Sequence, residues 1–328
     1  MRLRKTTAAA LALLAMLLGV SVATAASSPP PPPPSGTSVS PQIVGGDPAP
    51  IAYAGAGSLQ LLDHDDPNWH SCGLTLIAQD QNAALEATNA HCVSNPPSQA
   101  QVARMSPAGK ANFAAFRTDL RNTGIDRSDP AIYHARFGST DRLYGGTVTT
   151  LKAILVPPRW AWGEPDKDGR IWDIALVLSG PIPGVAPARI AVPQLWQAAR
   201  EIGWGRTDPD PSTWIGPAPS QLSQLDVPLL HTSKCAAAGI GVGELCAGVP
   251  PTGGGTCQGD SGSGILQRHG RDWYLIGSAS RGTAAYCGTV NVYTQTSSYL
   301  GWMALQSRQL LPRAPIMTSE SPAAIPAG

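Results

Sequence analysis

The sequence predicts an all-β protein, a sandwich or a barrel of short strands. Glycine and proline are abundant, 35 and 32 of 328 residues, while charged residues make up only 14%. That is the balance of a chain with many turns. Short apolar segments also recur at turn-separated intervals, at 57–62, 74–77, 146–156, 174–178, 201–204, 265–266, 273–279 and 290–294. Many are rich in Val, Ile, Leu and aromatic residues and are bounded by Gly, Pro, Asp or Ser, as strands between tight turns are.

Taken in order, the chain opens on Arg2, Arg4 and Lys5, an apolar run over 8–22, and then Ala23, Thr24 and Ala25. This is the pattern of a signal peptide, 1–25, cleaved after Ala25. The run is shorter than the ~20 residues a membrane-spanning helix needs. No later stretch is long enough to span, so a soluble, secreted mature chain is expected. Residues 26–42 hold an unbroken proline run from Pro29 to Pro34. Such a run favours extended polyproline II and builds no core, so it reads as a spacer or pro-segment. Residues 93–135 are polar and read as a long surface insertion with a short helix over 110–121. Residues 297–306 read as a short C-terminal helix, with Leu300, Met303 and Ala304 on one face. The Pro- and Ala-rich end, 307–328, reads as a flexible tail. The net charge of +1 gives no reason to expect nucleic acid or an anionic membrane as partner.

Six cysteines follow the signal: Cys72, Cys92, Cys235, Cys246, Cys257 and Cys287. An even count in an exported chain favours disulfides, but six cysteines allow 15 pairings and spacing does not choose among them. Zinc is disfavoured, because there is no Cys-x-x-Cys pair and no paired histidine spacing.

Three short strings carry the chemistry. In Cys257-Gln258-Gly259-Asp260-Ser261-Gly262, a serine sits beside a glycine that clears space for backbone N–H donors. In Thr88-Asn89-Ala90-His91-Cys92, a histidine offers a base. In Trp172-Asp173-Ile174-Ala175-Leu176, an acid precedes an apolar run. Each alone has an ordinary reading as a turn, a surface residue or a cap. Together they hold a nucleophile, a base and an orienting carboxylate.

The order His91, Asp173, Ser261 resembles that of the chymotrypsin/trypsin-like serine peptidases, whose triad is a standard worked example of this chemistry. Ile43-Val44-Gly45-Gly46 resembles the mature N-terminus of that family. His70-Ser71-Cys72-Gly73, Ile202-Gly203-Trp204-Gly205 and Val292-Tyr293-Thr294 resemble further recurrent segments. The match runs from Ile43 to about Gln306, so a peptidase domain over 43–306 is expected.

The resemblance implies two six-stranded antiparallel β-barrels, parting near 180–195, with the active site between them. It implies a monomeric endopeptidase acting on proteins or peptides, without metal or other cofactor. It implies the disulfides Cys72–Cys92, Cys235–Cys246 and Cys257–Cys287, each closing a loop of roughly 10–30 residues and worth about 2–4 kcal/mol in the chain-entropy model. Gly259 and Ser261 would supply the oxyanion-hole N–H groups, and Ser280 a hydrogen bond behind Asp173. Asp260 would pair with the α-amino group of Ile43 once the precursor is cut. Gln42 before Ile43 does not suit a trypsin-like activator, which leaves another protease, or the chain itself, to make that cut. The substrate pocket would be lined by Gly255, Thr256, Gln258, Ser280, Gly282 and Asn291. Gly255 stands where trypsin-like members carry an aspartate, which argues against cleavage after Lys or Arg. Arg281, where many relatives carry Trp, would favour an acidic group nearby. Two other readings are a catalytically inactive homologue acting as a binding module and an α/β-hydrolase. Ser263 breaks the Gly-x-Ser-x-Gly elbow of the latter, and its acid would follow the serine rather than precede it.

Overall fold

The structure, a computed structural model, describes residues 43–116 and 124–320. The expected signal peptide 1–25, the pro-segment 26–42, residues 117–123 of the insertion and residues 321–328 of the tail lie outside the described residues.

After a two-residue strand, β1 (Asp47–Pro48), six strands form the first barrel. They are β2 (Ala56–Asp63), β3 (Asp66–Gln79), β4 (Ala84–Thr88), β5 (Tyr133–Phe137), β6 (Thr147–Leu155) and β7 (Ala175–Ser179). They run in the order β2-β3-β4-β7-β6-β5, and the pairing of β5 with β2 closes the ring. His64 and Asp65, both at positive φ, turn β2 into β3, the backbone sense that matches strand twist in a two-residue hairpin.

The second barrel comprises β8 (Ala198–Gly203), β9 (Ser223–Leu230), β10 (Glu244–Ala247), β11 (Gly264–His269), β12 (Asp272–Gly282) and β13 (Asn291–Gln295). Its order is β9-β10-β13-β12-β11-β8, closed by β8 on β9, with β1 added at β9.

Alternation along the strands explains how the barrels meet. In β7, Ala175 and Val177 enter the first barrel's core while Leu176 faces a second apolar cluster. In β4, Ala84 enters the barrel and Leu85 and Ala87 face that same cluster. The cluster also holds Ile202, Trp204, Leu266 and Leu275 from the second barrel and Met303 from the C-terminal helix. Strands buried on both faces read as unbroken apolar runs, which is why 174–178 stood out in the sequence.

Three expectations need correction. The insertion ends before Tyr133, because β5 is a barrel strand whose burial alternates residue by residue. Its helices are α1 (Gln99–Arg104) and α2 (Pro107–Ala115), not 110–121. Local capping sets their starts. Ser98 and Gln101 form a reciprocal capping box, and Ser106 caps a helix with proline in its first turn. The C-terminal end is packed further than expected. A 3-10 turn, Thr296–Tyr299, leads into α3 (Leu300–Leu310), and Leu311 is buried. Beyond it, Ile190 in the connection between barrels donates to Met317 O and accepts from Ser319 N, both at 2.9 Å. Among the described residues no helix is long and apolar enough to cross a membrane.

Candidate active site

β4 ends at Thr88, and a short 3-10 helix, Ala90–Val93, carries His91. Cys92 beside it is bonded to Cys72 on β3. Asp173 immediately precedes Ile174 and β7, which pairs with β4 over its whole length. This juxtaposition places both side chains at the barrel interface with no exposure.

Their geometry is closed. His91 Nδ1 lies 2.8 Å from Asp173 Oδ2, and His91 N donates to Asp173 Oδ1 at 3.0 Å. Ser280 Oγ donates to Oδ2 at 2.7 Å, and Asn89 Nδ2 lies 2.9 Å from the same oxygen. Asn89 Nδ2 also donates to Asp173 O at 2.8 Å, and Thr294 Oγ1 of the second barrel does so at 2.8 Å. Burial alone would raise the Asp173 pKa, but His91, Ser280 and the backbone N–H of His91 outweigh it and hold the carboxyl below its ordinary range. Because a carboxylate only accepts, the proton on Nδ1 faces Asp173 and Nε2 is left as the basic nitrogen.

Ser261 follows Gly259 and Asp260. Gly262, at φ +77°, has no room for a Cβ, which would lie 2.3 Å from Gly73 O and from Thr88 Oγ1. Gly73 N donates to Ser261 O at 2.7 Å, and the Cys72–Cys92 bond ties Gly73's neighbour to that of His91. Among the described residues no hydrogen bond joins Ser261 Oγ to His91, whose Nε2 lies 3.7 Å from Cys92 Sγ. The N–H groups of Gly259 and Ser261 likewise have no partner among the described residues.

Behind this turn, His70 Nε2 lies 2.9 Å from Gly259 O and Nδ1 lies 2.8 Å from Ser58 Oγ. A carbonyl only accepts, so His70 donates from Nε2 and Ser58 donates to Nδ1. Burial, with Arg142 nearby, lowers the His70 pKa to about 3, keeping that neutral tautomer. Asp260 accepts from Gly205 N and Cys257 N at 2.8 and 2.9 Å, and burial raises it to about 7 despite these donors. Ile43 is buried in the second barrel's core, and Val44 O accepts from Gly255 N at 2.9 Å.

The expected pocket residues fall into two groups. Thr256, Ser280, Gly282 and Asn291 border, with Ser261, a cavity of about 20 Å³. Gly255 lies against the Asn291 amide. Gln258 instead faces a cleft of about 710 Å³ on the other side of Ser261. Arg281 does not offer its charge to a ligand. It is buried against Glu244 through two contacts of 2.5 and 2.8 Å and donates to Ala238 O and Gly239 O, since a buried guanidinium needs a partner. Asn89, Thr294, His70 with Ser58, and Phe116 were not assigned roles from sequence. Asn89, His70 and Thr294 did stand in the strings that carried the resemblance, Asn89 as a departure from the family pattern beside the histidine. Cys72, His91 and Cys92 are close enough together for metal ligation, but both sulfurs are bonded to each other, which leaves no thiolates. The other two disulfides are Cys235–Cys246 and Cys257–Cys287.

A family model described as Trypsin matches residues 43–303. The chain belongs to the trypsin family. It is a serine endopeptidase, and its substrates are proteins or peptides. It is 27% identical over 254 residues to "Fibrinolytic enzyme, isozyme C" of Lumbricus rubellus, covering 73% of this chain and 89% of that protein. It is 29% identical over 196 residues to "Trypsin Tyr p 3.0101" of Tyrophagus putrescentiae, 56% of this chain and 65% of the relative. It is also 29% identical over 248 residues to "Transmembrane protease serine 11E" of Mus musculus, 72% of this chain but 48% of that protein. The two antiparallel barrels described above are those of a trypsin-family member.

Proposed function

We propose that this trypsin-family enzyme cuts peptide bonds with Ser261 as nucleophile, His91 as base and Asp173 as the group that orients it. The observation that carries the reading is the clamped imidazole, with Nδ1 at 2.8 Å from a fully buried carboxylate. Ser261 attacks the scissile carbonyl and gives its proton to His91 Nε2. The carbonyl oxygen gains charge and is met by the N–H groups of Gly259 and Ser261. His91 passes the proton to the leaving amine, and the acyl-enzyme is hydrolysed by water through the same steps in reverse. The Ser261–His91 bond forms as substrate binds, since such bonds are often long in the free enzyme.

The chain is made as a secreted precursor, cut before Ile43 by a protease yet to be identified. The freed α-amino group pairs with Asp260, whose carboxyl is buried against two N–H groups and needs a cation to ionise fully. The active enzyme then begins at Ile43, which N-terminal sequencing checks.

A small fluorophosphonate should label the mature enzyme, and Ser261→Ala should abolish both labelling and peptide hydrolysis. An unlabelled wild-type enzyme with a native N-terminus at Ile43 would sink the reading. One observation favours a second reading, a homologue that binds without cutting: Phe116 covers His91, with ring centroids 5.1 Å apart. The same labelling separates the two.

A further inference from the structure

Two cavities meet at Ser261 and share no other lining residue. They differ greatly in size. The one beside Thr256 and Asn291 measures about 20 Å³, room for about one water. Asn291, whose Nδ2 donates to Thr289 O at 2.7 Å, borders it next to Gly255. Further along the same side, Phe116 packs on His91, Trp160 and Trp162, with the Arg281 guanidinium 5.9 Å from its ring. This side holds little space for substrate side chains.

The other side is open. Past Gly259 and His70 lies the cleft of about 710 Å³. One wall is Trp69, stacked on His64 at 4.3 Å. The opposite wall carries Trp214 and Ile215. That wall is braced rather than loose. Arg206 donates to Gly216 O and Pro217 O. Arg142 donates to Ala218 O and Pro219 O and, on the first barrel, to Asn68 O at 2.7 Å. Arg206 and the flanking Arg142 are committed to backbone carbonyls. Polar groups also line the cleft, Asp63, Asp66 and Arg127 among them, and its large apolar faces are those of Trp69, Trp214 and Ile215.

With Ser261 as nucleophile, the residue before the cut enters the small cavity, and the chain beyond the cut leaves past Gly259 into the large one. We infer that this enzyme selects substrates mainly after the scissile bond: a small residue before it, and a bulky apolar side chain within the first three residues following it. The inference rests on the peptidase reading above.

The test uses mature enzyme whose active sites are counted with a small fluorophosphonate. Internally quenched peptides carry Ala, Phe or Lys before the cut and Gly, Asp, Lys, Leu or Trp at each of the next three positions. At the best position kcat/KM per titrated site should rise about tenfold or more from Gly to Leu or Trp. Trp214→Ala should compress that ratio to within about threefold. Ile215→Asp, at a side chain 89% exposed, should do the same and keeps the test open where Trp214→Ala misfolds. A flat response, or Phe and Lys accepted before the cut as well as Ala, would overturn the inference while leaving the nucleophile in place. Failure of Ser261 to titrate would instead overturn the peptidase reading beneath it.

Discussion

Asn89 offers the sharpest test of how Asp173 is held. It is fully buried, and its Nδ2 faces Asp173 Oδ2 at 2.9 Å, Asp173 O at 2.8 Å and Thr294 Oγ1 at 3.1 Å. Two N–H bonds cannot serve three acceptors fully, so its contribution is one bond to a charged group and about one to neutral oxygens. The charged bond is worth about 1.5–3 kcal/mol and the neutral one about 1 kcal/mol. Asn89 Oδ1 has no partner among the described residues, and its removal returns on the order of 1 kcal/mol. Asn89→Ala should therefore cost about 2 kcal/mol in denaturant unfolding. Asn89→Asp keeps the shape but removes both donors and sets a second carboxyl beside the first. It should cost more, about 3–5 kcal/mol, with a larger fall in kcat. Urea titrations at pH 7 and turnover per titrated site read both variants. If Asn89→Asp proves milder than Asn89→Ala, the residue serves only to fill space and the donor argument fails.

Other outcomes follow from buried charge and backbone geometry. Glu244→Ala strands the Arg281 guanidinium and should destabilise by about 3–5 kcal/mol, whereas the double variant Arg281→Leu with Glu244→Leu should recover much of that in a double-mutant cycle. His70 falls to about 3 in the folded chain from 6.5, so its contribution is complete above pH 6.5 and is lost as pH falls toward 3; His70→Gln should flatten unfolding free energy across that window. Glu86 rises through burial to about 8 from 4.5, so its contribution is complete below pH 4.5 and is lost as pH rises toward 8. Glu86→Gln, which keeps an acceptor for Ser179 Oγ, should reduce the slope there. Gly262→Ala should leave no active enzyme, measured by fluorophosphonate labelling, because its Cβ would meet two oxygens at 2.3 Å in a left-handed backbone.

The strings around His91, Asp173 and Ser261 were legible because each pairs a chemically distinctive residue with a local backbone demand. β7, buried on both faces, was legible as an apolar run for the same local reason, whereas β4, β9 and β10 lay outside the apolar segments read from the sequence. β5 was hidden inside a polar insertion, although its Tyr-His-Ala-Arg-Phe alternation carried the signal. α1 and α2 lacked a strong apolar face, so only their serine caps marked them.

Periodicity and the short motif strings belong to the chain itself, because each depends on neighbours a few residues apart, and their order is read directly along it. The sequence by itself thus determined the β class, the family and the identity of the chemical groups. Tertiary structure decided which groups meet across the interface: Thr294 on Asp173, Glu244 on Arg281, Phe116 on His91, and a narrow cavity facing a wide one across Ser261. These contacts join residues tens to hundreds of positions apart. Their energies depend on burial and distance, which no local pattern encodes.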